Sequence, residues 1–170
     1  MGIEVPNRSI ALVGLRSLIS TSEFQGTYSL ACAFGRDVTG SPVFADIAKM
    51  PHLLIAGATG SGKSITIHTL LVSLLYKNSP EFLRLLLVDP KRVELTVYNE
   101  IPHLLTPVIV DSKKAVMSLR WAVKEMERRY EILSGAGARD INSYNNRLLK
   151  DKNNGEIIPN IVIIIDELAD

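Results

Sequence analysis

Gly57-Ala58-Thr59-Gly60-Ser61-Gly62-Lys63-Ser64 fits the phosphate-loop pattern G-x-x-x-x-G-K-S/T, and its surroundings matter as much as its letters. An apolar run, His52 to Ala56, leads into it. A helical period follows from about Lys63 to Tyr76, with Ile67, Leu70, Leu71 and Leu74 at three- and four-residue spacing. Strand, glycine loop and helix in that order suit an anion, because glycines let backbone N–H groups turn inward while the helix adds the positive end of its dipole. Lys63 is then placed to reach the β- and γ-phosphates of a nucleoside triphosphate, and the Ser64 hydroxyl to ligate Mg²⁺.

A second apolar run, Ile161-Val162-Ile163-Ile164-Ile165, ends in Asp166-Glu167. A buried strand delivering two carboxylates at its carboxyl end is a Walker B pattern. It assigns Asp166 to Mg²⁺ through water and Glu167 to the general base that polarises an attacking water. An acid directly after the metal aspartate favours hydrolysis over transfer to another acceptor.

Between these halves, apolar runs alternate with helical periods, which predicts a mostly parallel sheet flanked by helices. The predicted strands are His52 to Ala56, Leu83 to Val88, Thr106 to Val110 and Asn160 to Ile165. The longest predicted helix runs from about Ser112 to Leu133, where Ala115, Val116, Leu119, Ala122, Val123, Met126, Tyr130 and Leu133 form one apolar stripe. On its charged face Glu125 and Arg129 stand at i,i+4, which reads as surface support. Gly135 is expected to close the helix in a left-handed cap. Upstream, Ile3 to Phe24 reads as a connector with one weak element. Tyr28 to Phe34 and Pro42 to Ile47, separated by a segment with Gly35 and Gly40, read as a β-hairpin.

Two readings of Asp89-Pro90-Lys91 stand side by side. Asp89 and Pro90 suit the N-cap and first residue of a helix, yet the tripeptide follows a strand on the edge where open α/β folds bind ligands, and capping has no need of Lys91. Arg139, Arg147, Lys150 and Lys152, among Asn142, Asn145, Asn146, Asn153 and Asn154, suit either a solvated loop with a short helix or contacts to nucleic-acid phosphates. Trp121, off the apolar stripe, is either a surface aromatic or a domain contact.

Composition narrows the classes. With 170 residues, 19 Lys plus Arg against 18 Asp plus Glu and a net charge of +1, the chain is neither a basic nucleic-acid coat nor an acidic tail. A chain this long buries about 70% of the surface exposed when unfolded, enough for a core without staples. Cys32, the single cysteine, excludes an intramolecular disulfide, reads as a small buried hydrophobe and fits a reducing compartment. The three histidines, His52, His68 and His103, lack metal-ligand spacing. No signal or membrane-spanning pattern is read, and the acidic finish at Asp170 reads as a cut.

Met50 to Ser64, Asp89-Pro90-Lys91 with Glu94-Leu95, Ile101-Pro102-His103-Leu104-Leu105, Arg120-Trp121-Ala122-Val123 running into Glu125 to Tyr130, and Asp166-Glu167-Leu168-Ala169-Asp170 together closely resemble the motor domain of the FtsK/SpoIIIE DNA translocases. Gly35-Arg36-Asp37, continuing to Met50, looks like the leading segment of the same domain. The resemblance implies a RecA-like P-loop ATPase core with ATP and Mg²⁺ as cofactors. It also implies a homo-hexameric ring that moves double-stranded DNA in chromosome segregation, division or sporulation. The motor would be cytoplasmic, tethered in complete family members to the inner membrane at the septum. The expected organisation is a connector over 1–24, a leading hairpin over 25–50 and a partial RecA-like core over 51–170. In that fold both sheet neighbours of the phosphate-loop strand come later than Walker B, so the 170 residues alone are expected to be sticky and unable to pump DNA. The family's trans-acting arginine and most pore-loop residues are likewise expected downstream. Two alternatives remain: a related ring ATPase that moves polypeptides in bacterial secretion, and a nucleotide-binding module without activity.

Overall fold

The structure is a computed structural model that describes residues 12–27, 29–50, 52–58, 60–151 and 155–167. It divides into two compact units between Lys77 and Asn78.

Among its described residues the first unit begins with two single-turn helices, α1 (Arg16–Ile19) and α2 (Ser22–Gln25), largely within the stretch read as a connector with one weak element. Thr21 caps α2 by accepting from the Phe24 N–H. Strands β1 (Ala31–Arg36) and β2 (Pro42–Asp46) pair antiparallel, with a register shift between Ala33 and Gly35. The predicted hairpin therefore forms, although Tyr28 lies outside the described residues. Leu18, Ile19, Phe24, Ala31 and Ala33 form its core, with Leu15 and Phe44 against it. Helix α3 (Lys63–Lys77) packs on β1. Ser73 Oγ accepts from the Ala33 N–H at 3.3 Å, and the Cys32 thiol donates to Leu70 O at 3.8 Å. Burial pushes that thiol up to about 12, so Cys32 is an inert packing residue. At the far end of α3 the Lys77 ammonium donates to Phe24 O, Thr27 O and Thr27 Oγ1, fastening α2 to the helix.

Residues 52–56 do not form the predicted strand. They are irregular, and Leu54 is 80% exposed. A strand exists only through its ladder, and among the described residues this segment pairs with no other strand.

The second unit is built on β3 (Leu83–Val88) and β4 (Asn160–Ile165), paired in parallel from Leu83↔Asn160 to Val88↔Ile165. Both lie where the apolar runs place them. On the other side of β3 the described residues make single parallel bridges, Leu85↔Leu104 and Val88↔Ile109, of which only the second falls within the predicted strand Thr106 to Val110. Pro107 has no N–H to give a ladder, and the Val108 N–H donates to Asn99 Oδ1 instead.

Helix α4 (Ser112–Gly135) is capped by Asp111, whose carboxylate accepts from the Lys114 N–H at 2.9 Å. The left-handed residue at its end is Gly137, with φ 59°, and not Gly135, which remains helical. Ala138 N–H donates to Leu133 O and Gly137 N–H to Ser134 O, the bond pair of a Schellman cap. Ala115 packs against the core of Leu86, Val88 and Ile109. The rest of the expected stripe is largely exposed, including Val116, Leu119, Val123, Met126 and Tyr130, as is Trp121.

Glu125 is not surface support. Its side chain and that of Arg129 are only 13% and 12% exposed, and Arg129 also donates to Pro159 O at 2.7 Å, tying α4 to the chain just before β4. Arg128 adds a two-bond contact to the same carboxylate.

Helix α5 (Ile141–Asp151) belongs to the polar stretch. Its buried Asn145 exchanges two hydrogen bonds with the backbone of Ile158, Nδ2 to O at 2.8 Å and N–H to Oδ1 at 2.9 Å, as a neighbouring strand would. Arg147 donates to Ala136 O and Gly137 O, at the end of α4. Arg139 pairs with Asp140. Three residues weighed as phosphate contacts are thus engaged in structural bonds; Lys152, Asn153 and Asn154 lie outside the described residues. Among the described residues, no helix is long and apolar enough to cross a membrane.

Two outcomes follow from these bonds. Asn145→Ala leaves the Ile158 N–H and C=O buried without that partner, so denaturation should show a loss of about 2–3 kcal/mol, whereas Asn146→Ala, at an exposed position, should change little. Two hydrogen bonds from Arg128, joined by one from Arg129, hold the Glu125 carboxyl at about 2 instead of 4.5. Because the folded value is the lower one, the carboxylate stabilises the fold above pH 4.5 and loses that contribution as pH falls toward 2. Glu125→Gln should therefore flatten the stability-against-pH curve in that window.

Candidate active site

Residues 57, 58 and 60–62 are irregular, and the last of them runs directly into α3. Gly60 and Gly62 adopt φ of 81° and 97°, a region that side chains resist. Gly57 is small for a different reason: a Cβ there would run into the Ser61 side chain. Ser61 N–H donates to Ala58 O at 3.0 Å, and the first helical bond runs from Thr66 N–H to Gly62 O at 2.9 Å. Lys63 and Ser64 are therefore the first two residues of α3, both half-buried. Their neighbours N-terminal to the helix are the N–H groups of the loop, so anion-favouring dipole and cationic side chain belong to the same turn. Thr59 lies outside the described residues.

In the second unit, Asp166 continues the β4 ladder by donating its N–H to Val88 O at 2.9 Å and is only 4% exposed. Glu167 then leaves the strand with φ 59°, a left-handed turn uncommon for a residue with a Cβ. The Lys91 ammonium stands 3.5 Å from Glu167 Oε2, so the cation with no part in capping meets the second acid of the Walker B pair.

Asp89 does not cap a helix, because no helix begins at Pro90. A turn follows instead, closed by Arg92 N–H donating to Asp89 O. The fully buried Asp89 carboxylate reaches forward, and its Oδ2 accepts from the N–H groups of Glu94 and Leu95 at 3.1 and 2.9 Å. Val88 pairs with Ile165, so the next residues in register are Asp89 and Asp166, which brings two buried carboxylates to one edge of the sheet. Sequence reasoning missed this anchoring role, since N-caps and turn anchors are both written with Asp. The five-residue reach from Asp89 to Glu94, without a following helical period, is the signal that separates them.

His103, in the Pro-His-Leu-Leu segment, is buried with Nε2 2.8 Å from Asn78 O and serves the fold. Among the described residues, no three His, Cys, Asp or Glu side chains gather as a metal-binding group. Ser64 in the first unit and Asp166 in the second each offer an oxygen donor of the hard type that suits Mg²⁺.

A sequence profile of the FtsK/SpoIIIE family matches residues 14–170. The chain belongs to the FtsK/SpoIIIE family. Along its whole length it is 55% identical to the DNA translocase SftA of Bacillus subtilis and 55% identical to the DNA translocase FtsK of Clostridium tetani. It spans only 18% and 23% of the length of those two relatives. Among solved structures, the pCW3 conjugation coupling protein TcpA, in its monomer form with ATPγS, superposes with a TM-score of 0.68 at 28% identity over 88% of this chain and 39% of that one. The cytoplasmic domain of the Type VII secretion ATPase EccC from Thermomonospora curvata gives 0.73 at 27% identity over 93% of this chain and 21% of that one. The α/β architecture is thus that of P-loop ATPase motors.

If residues 57–64 of this FtsK/SpoIIIE chain grip phosphate, Gly57→Val should weaken triphosphate binding at least about tenfold by displacing Ser61 from the loop. Equilibrium titration with a fluorescent ATP analogue reads the change, and unaltered affinity would contradict the assignment.

Proposed function

We propose that the chain is part of the motor of an ATP-driven double-stranded DNA translocase. The observation that carries this reading is 55% identity along the whole chain to proteins named DNA translocases, in a chain with both a phosphate loop and a strand ending in two acids. The likeness to the secretion ATPase supports a polypeptide cargo, but at 27% identity it is the weaker guide. The proposed working form is a homo-hexameric ring encircling duplex DNA on the cytoplasmic side of the inner membrane, tethered there by parts of the intact protein.

In this reading ATP is held by Gly57, Ala58, Thr59, Gly60, Ser61 and Gly62, whose backbone N–H groups face its phosphates. Lys63 contributes its ammonium to the β- and γ-phosphates, and Ser64 with Asp166 holds Mg²⁺. When bound, Mg²⁺ offsets negative charge on the phosphates. Glu167 accepts the proton of a water whose oxygen bonds to the γ-phosphorus. The bond to the bridging oxygen breaks, ADP and phosphate leave, and the proton returns to solvent.

The test is DNA-stimulated ATP hydrolysis by the intact protein. Glu167→Gln should lower kcat by at least about 10²-fold, in the range of a lost general base, with nucleotide affinity retained. Unchanged turnover would remove the assigned base, and hydrolysis indifferent to duplex DNA would remove the cargo.

A further inference from the structure

Asp89 and Lys91 belong to one device. Asp89 is buried at the end of β3, and its carboxylate fixes the turn by accepting from Glu94 and Leu95. That turn presents Lys91, whose ammonium lies 3.5 Å from Glu167 Oε2, one residue beyond the end of the β4 ladder. The neighbouring strands thus deliver a cation and an acid to the same edge, in a register fixed by Val88↔Ile165. Glu167 itself sits at φ 59°, a conformation that L side chains adopt sparingly and that neighbouring structure must hold.

We propose that Lys91 is a positioning residue that holds the Glu167 carboxylate in a resting placement, with Asp89 as the anchor that keeps Lys91 in reach. The inference rests on Glu167 being the base. An ammonium beside Oε2 competes with water for that oxygen, so loosening the pair frees the carboxylate for the working arrangement. The pair suits that exchange. The Lys91 and Glu167 side chains are 51% and 34% exposed, and contacts this open are weak and easily broken. A weak hold shifts populations by a small factor and does not lock the site.

The test uses the intact protein with Mg²⁺ and ATP, without DNA, in single-turnover hydrolysis. Lys91→Ala should raise the hydrolysis rate about two- to fivefold with nucleotide affinity unchanged, and Lys91→Arg should restore the parental rate. In nucleotide-free protein, hydrogen exchange should quicken at 166–167 in Lys91→Ala while the Glu94 and Leu95 amides, held by Asp89, stay protected. If alanine loosens those amides as well, Lys91→Met, which keeps the side-chain stem, is read by the same criteria. A rate unchanged or lowered by loss of the cation, with Glu167→Gln inactive, would overturn the resting placement while leaving the base intact. Normal hydrolysis by Glu167→Gln would overturn the base and the inference together.

Discussion

The parallel pairing of β3 with β4 is the constraint from which the second unit follows. Six residues of β3 are matched in register with six of β4, and the ladder runs one bond further through Asp166 N–H to Val88 O. Leu83, Leu85, Leu86, Leu87 and Val88 are buried, so a slip by one residue would expose a buried leucine and move every following side chain to the opposite face. The register that protects the core therefore also sets where two acids stand, since Asp89 and Asp166 are the first residues past it. Arg129 reaches Pro159 from α4, and Asn145 pairs with Ile158 from α5, both on the approach to β4. Those elements hold the strand at the end opposite to its acids.

The pattern of apolar residues carries β3 and β4 as continuous runs, and α3 and α4 because each is long enough to show its helical period. The hairpin is legible for a different reason, the turn chemistry between two short runs. Segments 52–56 and 106–110 are equally apolar yet form no strand. Apolar character measures what can be buried, whereas a strand needs a partner whose N–H and C=O groups face it, and Pro107 withholds one of those groups. The stripe of α4 shows the same separation. Its period gives the helix correctly, but Val116, Val123 and Met126 remain exposed, because periodicity reports a face and not what lies against it.

At the candidate site, the glycines, Lys63, Ser64 and the two acids are legible because their chemistry constrains residue type and spacing within a few positions. Lys91 stands out from its neighbours for lack of a capping role, but its approach to Glu167 depends on the register of two strands distant in sequence. The Asp89 anchor is hidden because burial decides its role, and burial is a tertiary property. Glu125 is misread for the same reason: i,i+4 spacing gives the pair with Arg129, while the bond to Pro159 that draws it inward depends on how α4 meets β4.

The proposed function requires that the phosphate loop and the Walker B acids serve one nucleotide and one Mg²⁺. A double-mutant cycle on Mg²⁺-dependent ATP-analogue affinity of the intact protein tests it most directly, with Ser64→Ala, Asp166→Asn and the double variant. Shared metal predicts that the second substitution costs far less once the first is made, a coupling well beyond the 0.3–0.5 kcal/mol or so within which independent sites add. Strictly additive losses would contradict it.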